Sequence, residues 1–173
     1  PTYNRAHIVK KTIQKVFNQT YKNYEIIVVD NCSTDQTIEV LQPYADKNQI
    51  RLIQHDKNYE RSTSRNTGMK NATGDYLTFL DSDDLMGANC LQDAADFVAA
   101  HNSYAIFHNR YNFMDTEGNV IHTYQPKINI NKPFEEILEV NFLACIGVFI
   151  SKEIYQQYRF TENKDIIGSE DWL

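Results

Sequence analysis

Residues 76–84, Tyr-Leu-Thr-Phe-Leu-Asp-Ser-Asp-Asp, are an apolar run that breaks off into three carboxylates within four residues. Tyr, Thr and Phe favour extended backbone, and Gly74-Asp75 before the run and Asp81-Ser82 after it supply breaks. The run therefore reads as a strand that carries acid to its own C-terminal tip. Carboxylates this close raise one another's pKa and call for a counter-charge. A hard divalent cation, Mg2+ or Mn2+, supplies one, since such ions take one or two carboxylates and fill the rest of their shell with water and phosphate oxygens. Asp81 and Asp83 have the chemistry for it. The same spacing suits an acidic loop whose Asp side chains cap the next helix, and spacing alone leaves both readings open.

The segments before this run alternate in period. Val9, Ile13, Val16 and Phe17 recur at helical spacing between Ala6 and Asn18, and Glu25-Ile-Ile-Val-Val-Asp30 is a β-branched run that again ends in an acid. Ser33-Thr-Asp-Gln36 has the form of a capping box opening a helix with Ile38, Leu41 and Ala45 inward. Residues 50–54 read as a strand and 62–71 as a helix containing Arg65. Helix, strand, helix, strand, helix, strand predicts an α/β domain with a mostly parallel central sheet flanked by helices, whose ligands lie beyond the carboxyl ends of the strands. Asp30 and the Asp81 cluster are both at such ends.

After a helix over 89–100 the pattern changes. Residues 104–107 and 111–114 look extended, and Asp115 to Asn119 turns into a further strand over 120–124, which predicts a small hairpin-like insertion. Residues 134–140 suggest a short helix, 148–150 a strand and 152–158 a helix.

At 173 residues one domain is expected, and with 17 basic against 23 acidic residues no broad nucleic-acid footprint. Cys32, Cys90 and Cys145 are odd in number and widely spaced, which suggests neither a disulfide framework nor a zinc site and suits a reducing compartment. His7, His55, His101, His108 and His122 show no metal-ligand spacing, and the six scattered glycines form no phosphate-cradling loop. A nucleotide bound here would need metal to neutralise its phosphates. No apolar run approaches the length of a membrane span.

Five stretches in order carry a more specific signal: Pro1-Thr-Tyr-Asn-Arg5, Val28-Val-Asp-Asn-Cys-Ser-Thr-Asp35, Ser64-Arg-Asn-Thr-Gly68, Gly74-Asp-Tyr76 with Leu80-Asp-Ser-Asp-Asp84, and Glu170-Asp-Trp172. Together they resemble the serial motifs of family 2 glycosyltransferases. The resemblance implies a GT-A fold and inverting transfer from a nucleotide-diphosphate sugar, with a UDP-sugar expected, to a hydroxyl on a saccharide or lipid-linked acceptor, in surface polysaccharide or glycoconjugate synthesis. It implies that Thr2 and Tyr3 line the base pocket, Asp30 bonds the uracil, Arg65 sits near the nucleotide, Asp81 approaches the ribose or metal, and Asp83 is the principal ligand of Mn2+ or Mg2+. Arg5, Ser82, Glu170 and Trp172 join the substrate-binding set, and Asp171 matches the catalytic base. The chemistry is apt, because an acceptor hydroxyl is a poor nucleophile until a carboxylate takes its proton on the face opposite the leaving group.

The resemblance further implies that residues 1–173 are one catalytic domain, a fragment lacking the family's first strand and its C-terminal region. It suggests a cytoplasmic protein, with peripheral association of the parent at the cytoplasmic membrane face. Asn31 stands where the family commonly has an acid. Two rival readings remain: a sugar-phosphate nucleotidyltransferase, whose glycine- and arginine-containing loop is not seen here, and a non-catalytic nucleotide- or carbohydrate-binding module.

Overall fold

The computed structural model describes residues 1–101, 104–125, 129, 131–132, 135–137 and 145–163. Helix α1 (Val9–Phe17) buries Val9, Thr12, Ile13 and Val16, one face at the expected spacing. β1 (Ile27–Asp30) follows, then α2 (Thr37–Asp46) and β2 (Arg51–Gln54). β1 and β2 pair in parallel, with Asp30 opposite Gln54. Thr2 extends this sheet on the other edge of β1: its amide donates to Val29 O and its carbonyl accepts from Asn31 N.

Helix α3 (Arg61–Asn71) leads into β3 (Tyr76–Thr78), and α4 (Cys90–Ala100) leads from β3 to β4 (Ile106–His108). A hairpin of β5 (Tyr111–Met114) and β6 (Val120–Tyr124) comes next, then β7 (Val148–Ser151) and α5 (Lys152–Gln157). Beyond β3, Phe79 makes only an isolated bridge to Ile146, so the strand is shorter than its apolar run. Of the helix suggested over 134–140, most lies outside the described residues. No helix among the described residues is long and apolar enough to cross a membrane.

The α/β class and the hairpin are as expected, but where one mostly parallel sheet was predicted, the described strands form a parallel pair, β1-β2, and a separate antiparallel sheet, β3-β7-β4. β7 lies between β3 and β4 and is antiparallel to both. The physical reason is the route of the chain. β3 and β4 point the same way, joined by α4, and leave one position between them. β7 fills it from the opposite edge, after a turn at Gly147 (φ +82°), whose carbonyl accepts from the Asn109 amide at the tip of β4. A side chain at 147 would also meet Asn109 O at 3.1 Å.

Two apolar clusters hold the layers together. One joins α1 and α2 to β1 through Val9, Ile13, Val28, Leu41 and Ile50, and the other joins α3 and α5 to the second sheet through Met69, Phe79, Val148, Ile150 and Tyr155. β1 and β3 are not hydrogen-bonded to each other, and a cavity of about 860 Å³ separates them, with Val29, Leu77, Phe79 and Ile13 in its wall. At the entrance to the two sheets Glu25 clamps the chain: its Oε1 accepts from the Thr73 amide, the Thr73 hydroxyl and the Gly74 amide at 2.7, 2.7 and 3.2 Å. Burial works against the Glu25 charge, but these bonds and nearby Arg51 outweigh it and hold the carboxyl below its ordinary range.

Candidate active site

The first two motifs interlock. Asn4, in the left-handed region (φ 51°), donates its amide to Ser33 Oγ and accepts the Thr34 amide on Oδ1 at 2.8 Å. The Arg5 amide donates to Thr37 Oγ1 and the Ala6 amide to Asp35 Oδ2. Loop 1–6 is thus sewn to loop 30–37 before α1 begins.

The expected capping box does not form. Cys32 has φ 63°, which turns the chain so that Ser33 folds back on Asp30, and both the Ser33 amide and hydroxyl donate to the Asp30 carboxylate. The helix starts later, at Thr37, where Asp35 accepts the Thr37 amide in place of a Ser33 cap. Asp30 is buried and braces this turn, as well as closing the tip of β1. Each of its oxygens keeps a further lone pair for a ligand. Asn31 carries a second network: its Oδ1 accepts the Tyr59 amide and faces His55 Nδ1, while His55 Nε2 meets Thr67 on α3. Thr2 is buried, its hydroxyl without a hydrogen-bond partner, and Tyr3 is 41% exposed.

Arg65 and Asp81 are brought together. Arg65 lies on the buried face of α3, 4% exposed, with Nη2 3.5 Å from Asp81 Oδ1. That oxygen is buried and makes no hydrogen bond. Arg5 and Asp83 form a second pair at 3.5 Å, both side chains open to solvent. Asp84 is pushed up to about 6, chiefly by burial, with the Asp81 and Asp83 carboxylates adding to it.

Side chains that sequence patterns did not single out hold the cluster in place. Thr12, buried on α1, donates its hydroxyl to Ser82 O at 2.9 Å. Gln19, fully buried two residues past the end of α1, donates from Nε2 to Gly87 O at 2.6 Å and accepts the Leu91 amide at 3.0 Å. α4 has no side-chain cap of its own at Asn89, so Gln19 serves as a remote one. Thr12 reads in the sequence as an ordinary member of an amphipathic helix, and Gln19 falls just past the helix predicted between Ala6 and Asn18. A polar residue on the apolar face, at Thr12, was the only available signal.

Among the described residues no three His, Cys, Asp or Glu side chains gather into a metal cage. The donor set nevertheless fits a hard cation held by one or two carboxylates: Asp81 Oδ1 accepts no hydrogen bond, and Asp83 is accessible. Glu170, Asp171 and Trp172 lie outside the described residues.

The profile of Glycosyl transferase family 2 matches residues 1–159, from the interlocked loops through the acid cluster to α5. The chain belongs to this family. A glycosyltransferase of Haemophilus influenzae is 32% identical over 165 residues, which are 95% of this chain and 65% of that protein. Staphylococcus aureus TarS, a poly(ribitol-phosphate) β-N-acetylglucosaminyltransferase, has the same GT-A fold: the structure of its residues 1–349 superposes with a TM-score of 0.78 at 24% identity, covering 99% of this chain and 51% of that one. Its complex with UDP-GlcNAc matches 61% of this chain at 33% identity with a TM-score of 0.58, covering 31% of that chain. The mannosyltransferase PcManGT of Pyrobaculum calidifontis, solved with GDP-Man and Mn2+, matches 61% of this chain and 32% of its own at 25% identity with a TM-score of 0.56. The family 2 chain thus spans less than two thirds of the H. influenzae relative and about half of the TarS structure.

Proposed function

We propose that this domain transfers a sugar, with inversion at the anomeric carbon, from a nucleotide-diphosphate sugar of the UDP class to a hydroxyl on a saccharide or lipid-linked acceptor. The observation that carries the reading is the pair of carboxylates at the tip of β3, Asp81 against buried Arg65 and Asp83 against Arg5, beside the buried Asp30 turn. Asp30 and Thr2 present acceptor and donor groups suited to a base, and Arg65 and Arg5 present positive charge suited to a diphosphate. Asp83 and Asp81 hold Mn2+ or Mg2+ in this reading. A cation held by these carboxylates would supply charge to neutralise a diphosphate leaving group. The Mn2+ complex of the mannosyltransferase and the UDP-GlcNAc complex of TarS support the metal and the donor class.

Asp171 is the proposed base that takes the acceptor proton during a single in-line displacement, with Glu170 and Trp172 beside it contributing to substrate binding. The polymer acceptor in the name of TarS supports polysaccharide assembly as the setting. A growing surface polymer would bring the parent protein to the cytoplasmic face of the membrane.

The test uses the full-length protein with UDP and UDP-GlcNAc. Calorimetry should show UDP binding with Mn2+ and little with EDTA, and Asp83→Ala should remove the metal-dependent part. Asp171→Asn should keep UDP binding and abolish UDP release from UDP-GlcNAc in the presence of acceptor extract. Equal UDP binding in EDTA sinks the metal role, and full turnover by Asp171→Asn sinks the assignment of the base.

A further inference from the structure

The tip of β1 carries Asp30 and helix α3 carries Arg65, and two side chains pin one element to the other. Asn31 is the first pin. Its Nδ2 donates to Asn58 Oδ1 at 2.9 Å and to Tyr59 O, and its Oδ1 accepts the Tyr59 amide at 2.8 Å. It thus pairs with both backbone groups of Tyr59, just before α3 begins at Arg61. A carboxylate here would have no N–H to give Tyr59 O or Asn58, which is a physical reason for an amide where the family commonly has an acid.

His55 is the second pin. Its amide donates to Asp30 O at 2.9 Å, and its ring meets the Tyr59 ring edge-on with centroids 5.1 Å apart. Nδ1 lies 3.1 Å from Asn31 Oδ1, and Nε2 lies 3.0 Å from Thr67 Oγ1. The Tyr59 amide can only donate, which turns Asn31 Oδ1 toward it, and that oxygen can only accept. Neutral His55 therefore carries its proton on Nδ1, and Nε2 accepts the Thr67 hydroxyl, which also lies 2.9 Å from Thr63 O. Thr67 stands two residues beyond Arg65 on the same helix. One imidazole thus spans from the backbone of Asp30 and the side chain of Asn31 to the helix that holds Arg65.

We infer that His55, held by Asn31, is a strut that sets the spacing between Asp30 and Arg65, making it a positioning residue for a donor that touches both. The inference rests on the proposed glycosyltransferase reading, in which Asp30 meets the base and Arg65 the diphosphate. A helix and a strand share no backbone ladder, so side chains alone fix how α3 sits against the tip of β1. A ligand that touches only one of the two contacts is indifferent to their spacing. One that spans both gains from the second contact only where the spacing fits. Loss of the strut should therefore weaken UDP and leave its two halves bound as before.

A double-mutant cycle on the bond between His55 and Thr67 reads this directly. His55→Phe keeps a ring against Tyr59 and removes both ring nitrogens, and Thr67→Val removes the hydroxyl alone. In full-length protein well below its melting transition, UDP is titrated by calorimetry with Mg2+. Uridine and inorganic pyrophosphate are titrated separately, with Mg2+, by ligand-observed NMR. For Thr67→Val we expect UDP affinity down about three- to tenfold, bounded by the worth of one hydrogen bond, and for His55→Phe down at least about tenfold. The double variant should lose no more than His55→Phe, because the bond is already gone. Uridine and pyrophosphate should each stay within about twofold of wild type in all three variants.

UDP affinity within about twofold of wild type in both single variants overturns the strut. So does an equal fall in uridine or pyrophosphate affinity, which would mean damage at one contact and not a changed spacing. Should His55→Phe fail to fold, Thr67→Val alone must weaken UDP and spare both halves, or the proposal falls. If wild type binds no UDP, the donor reading fails and takes the strut with it. If wild type binds UDP and the variants match it, only the strut is wrong.

Discussion

Gln19→Met removes the polar head that ties the acid loop and α4 to the end of α1 while roughly conserving side-chain volume. Three bonds go: those to Gly87 O at 2.6 Å and from the Leu91 amide at 3.0 Å, each worth about 1 kcal/mol net, and a long one to Lys15 O at 3.4 Å that adds little. Gly87 O keeps the Cys90 amide as a donor, so it is not orphaned. The Leu91 amide, in the first turn of a helix without its own cap, loses its acceptor, which adds up to about 1 kcal/mol. The sum is about 1.5 to 3 kcal/mol. For a chain of 173 residues that corresponds to about 3 to 12 °C in Tm. Differential scanning calorimetry of the full-length protein reads it directly. Gln14→Met makes the same chemical change on the exposed face of α1 and should move stability by less than about 0.5 kcal/mol. If the two variants melt together, Gln19 does not organise the loop, and the account of how α1 positions Asp81 and Asp83 is wrong.

Three further outcomes follow from the same geometry. Glu25→Gln should cost about 1 kcal/mol in urea unfolding at pH 7, and because the folded carboxyl sits below its ordinary value, the wild-type advantage should shrink as pH falls through that depressed value; a difference that does not change with pH contradicts the clamp. Asp84 has the opposite sign: its folded value of about 6 exceeds the ordinary 3.8, so metal-free wild type should lose stability as pH rises between these two values, and Asp84→Asn in EDTA should flatten that slope. Tyr155→Phe deletes the hydroxyl that donates to Gly74 O beneath β3 and should lower stability by about 1 to 2 kcal/mol, measured by thermal melting, with no change in UDP affinity.

Much of the candidate site was legible because its chemistry is local. A strand run that ends in acid places that acid at a sheet tip whatever the rest of the fold, and this holds for Asp30 after Val28-Val29 and for Asp81 after Phe79-Leu80. Arg65 was readable as a helical residue, but its burial was not. A lone arginine on a helix is usually a solvent-exposed charge, and only the packing of α3 against β1 and the second sheet leaves it 4% exposed facing Asp81. The capping box failed for a similar reason. Ser33 had the right spacing to Gln36, but Asp30 competes for its hydroxyl once Cys32 turns the backbone left-handed.

Local sequence determined the elements and the residues at their tips: periodicity set α1, β-branched runs set β1, and motif order set the family. Tertiary structure decided what those tips meet. Whether β7 enters between β3 and β4, whether Thr12 and Gln19 reach the acid loop, and whether His55 joins Asn31 to Thr67 depend on contacts between residues as far apart in sequence as Tyr76 and Ser151. Such contacts leave no periodic trace, because a side chain that bonds across the fold has the same neighbours in sequence as one that faces water.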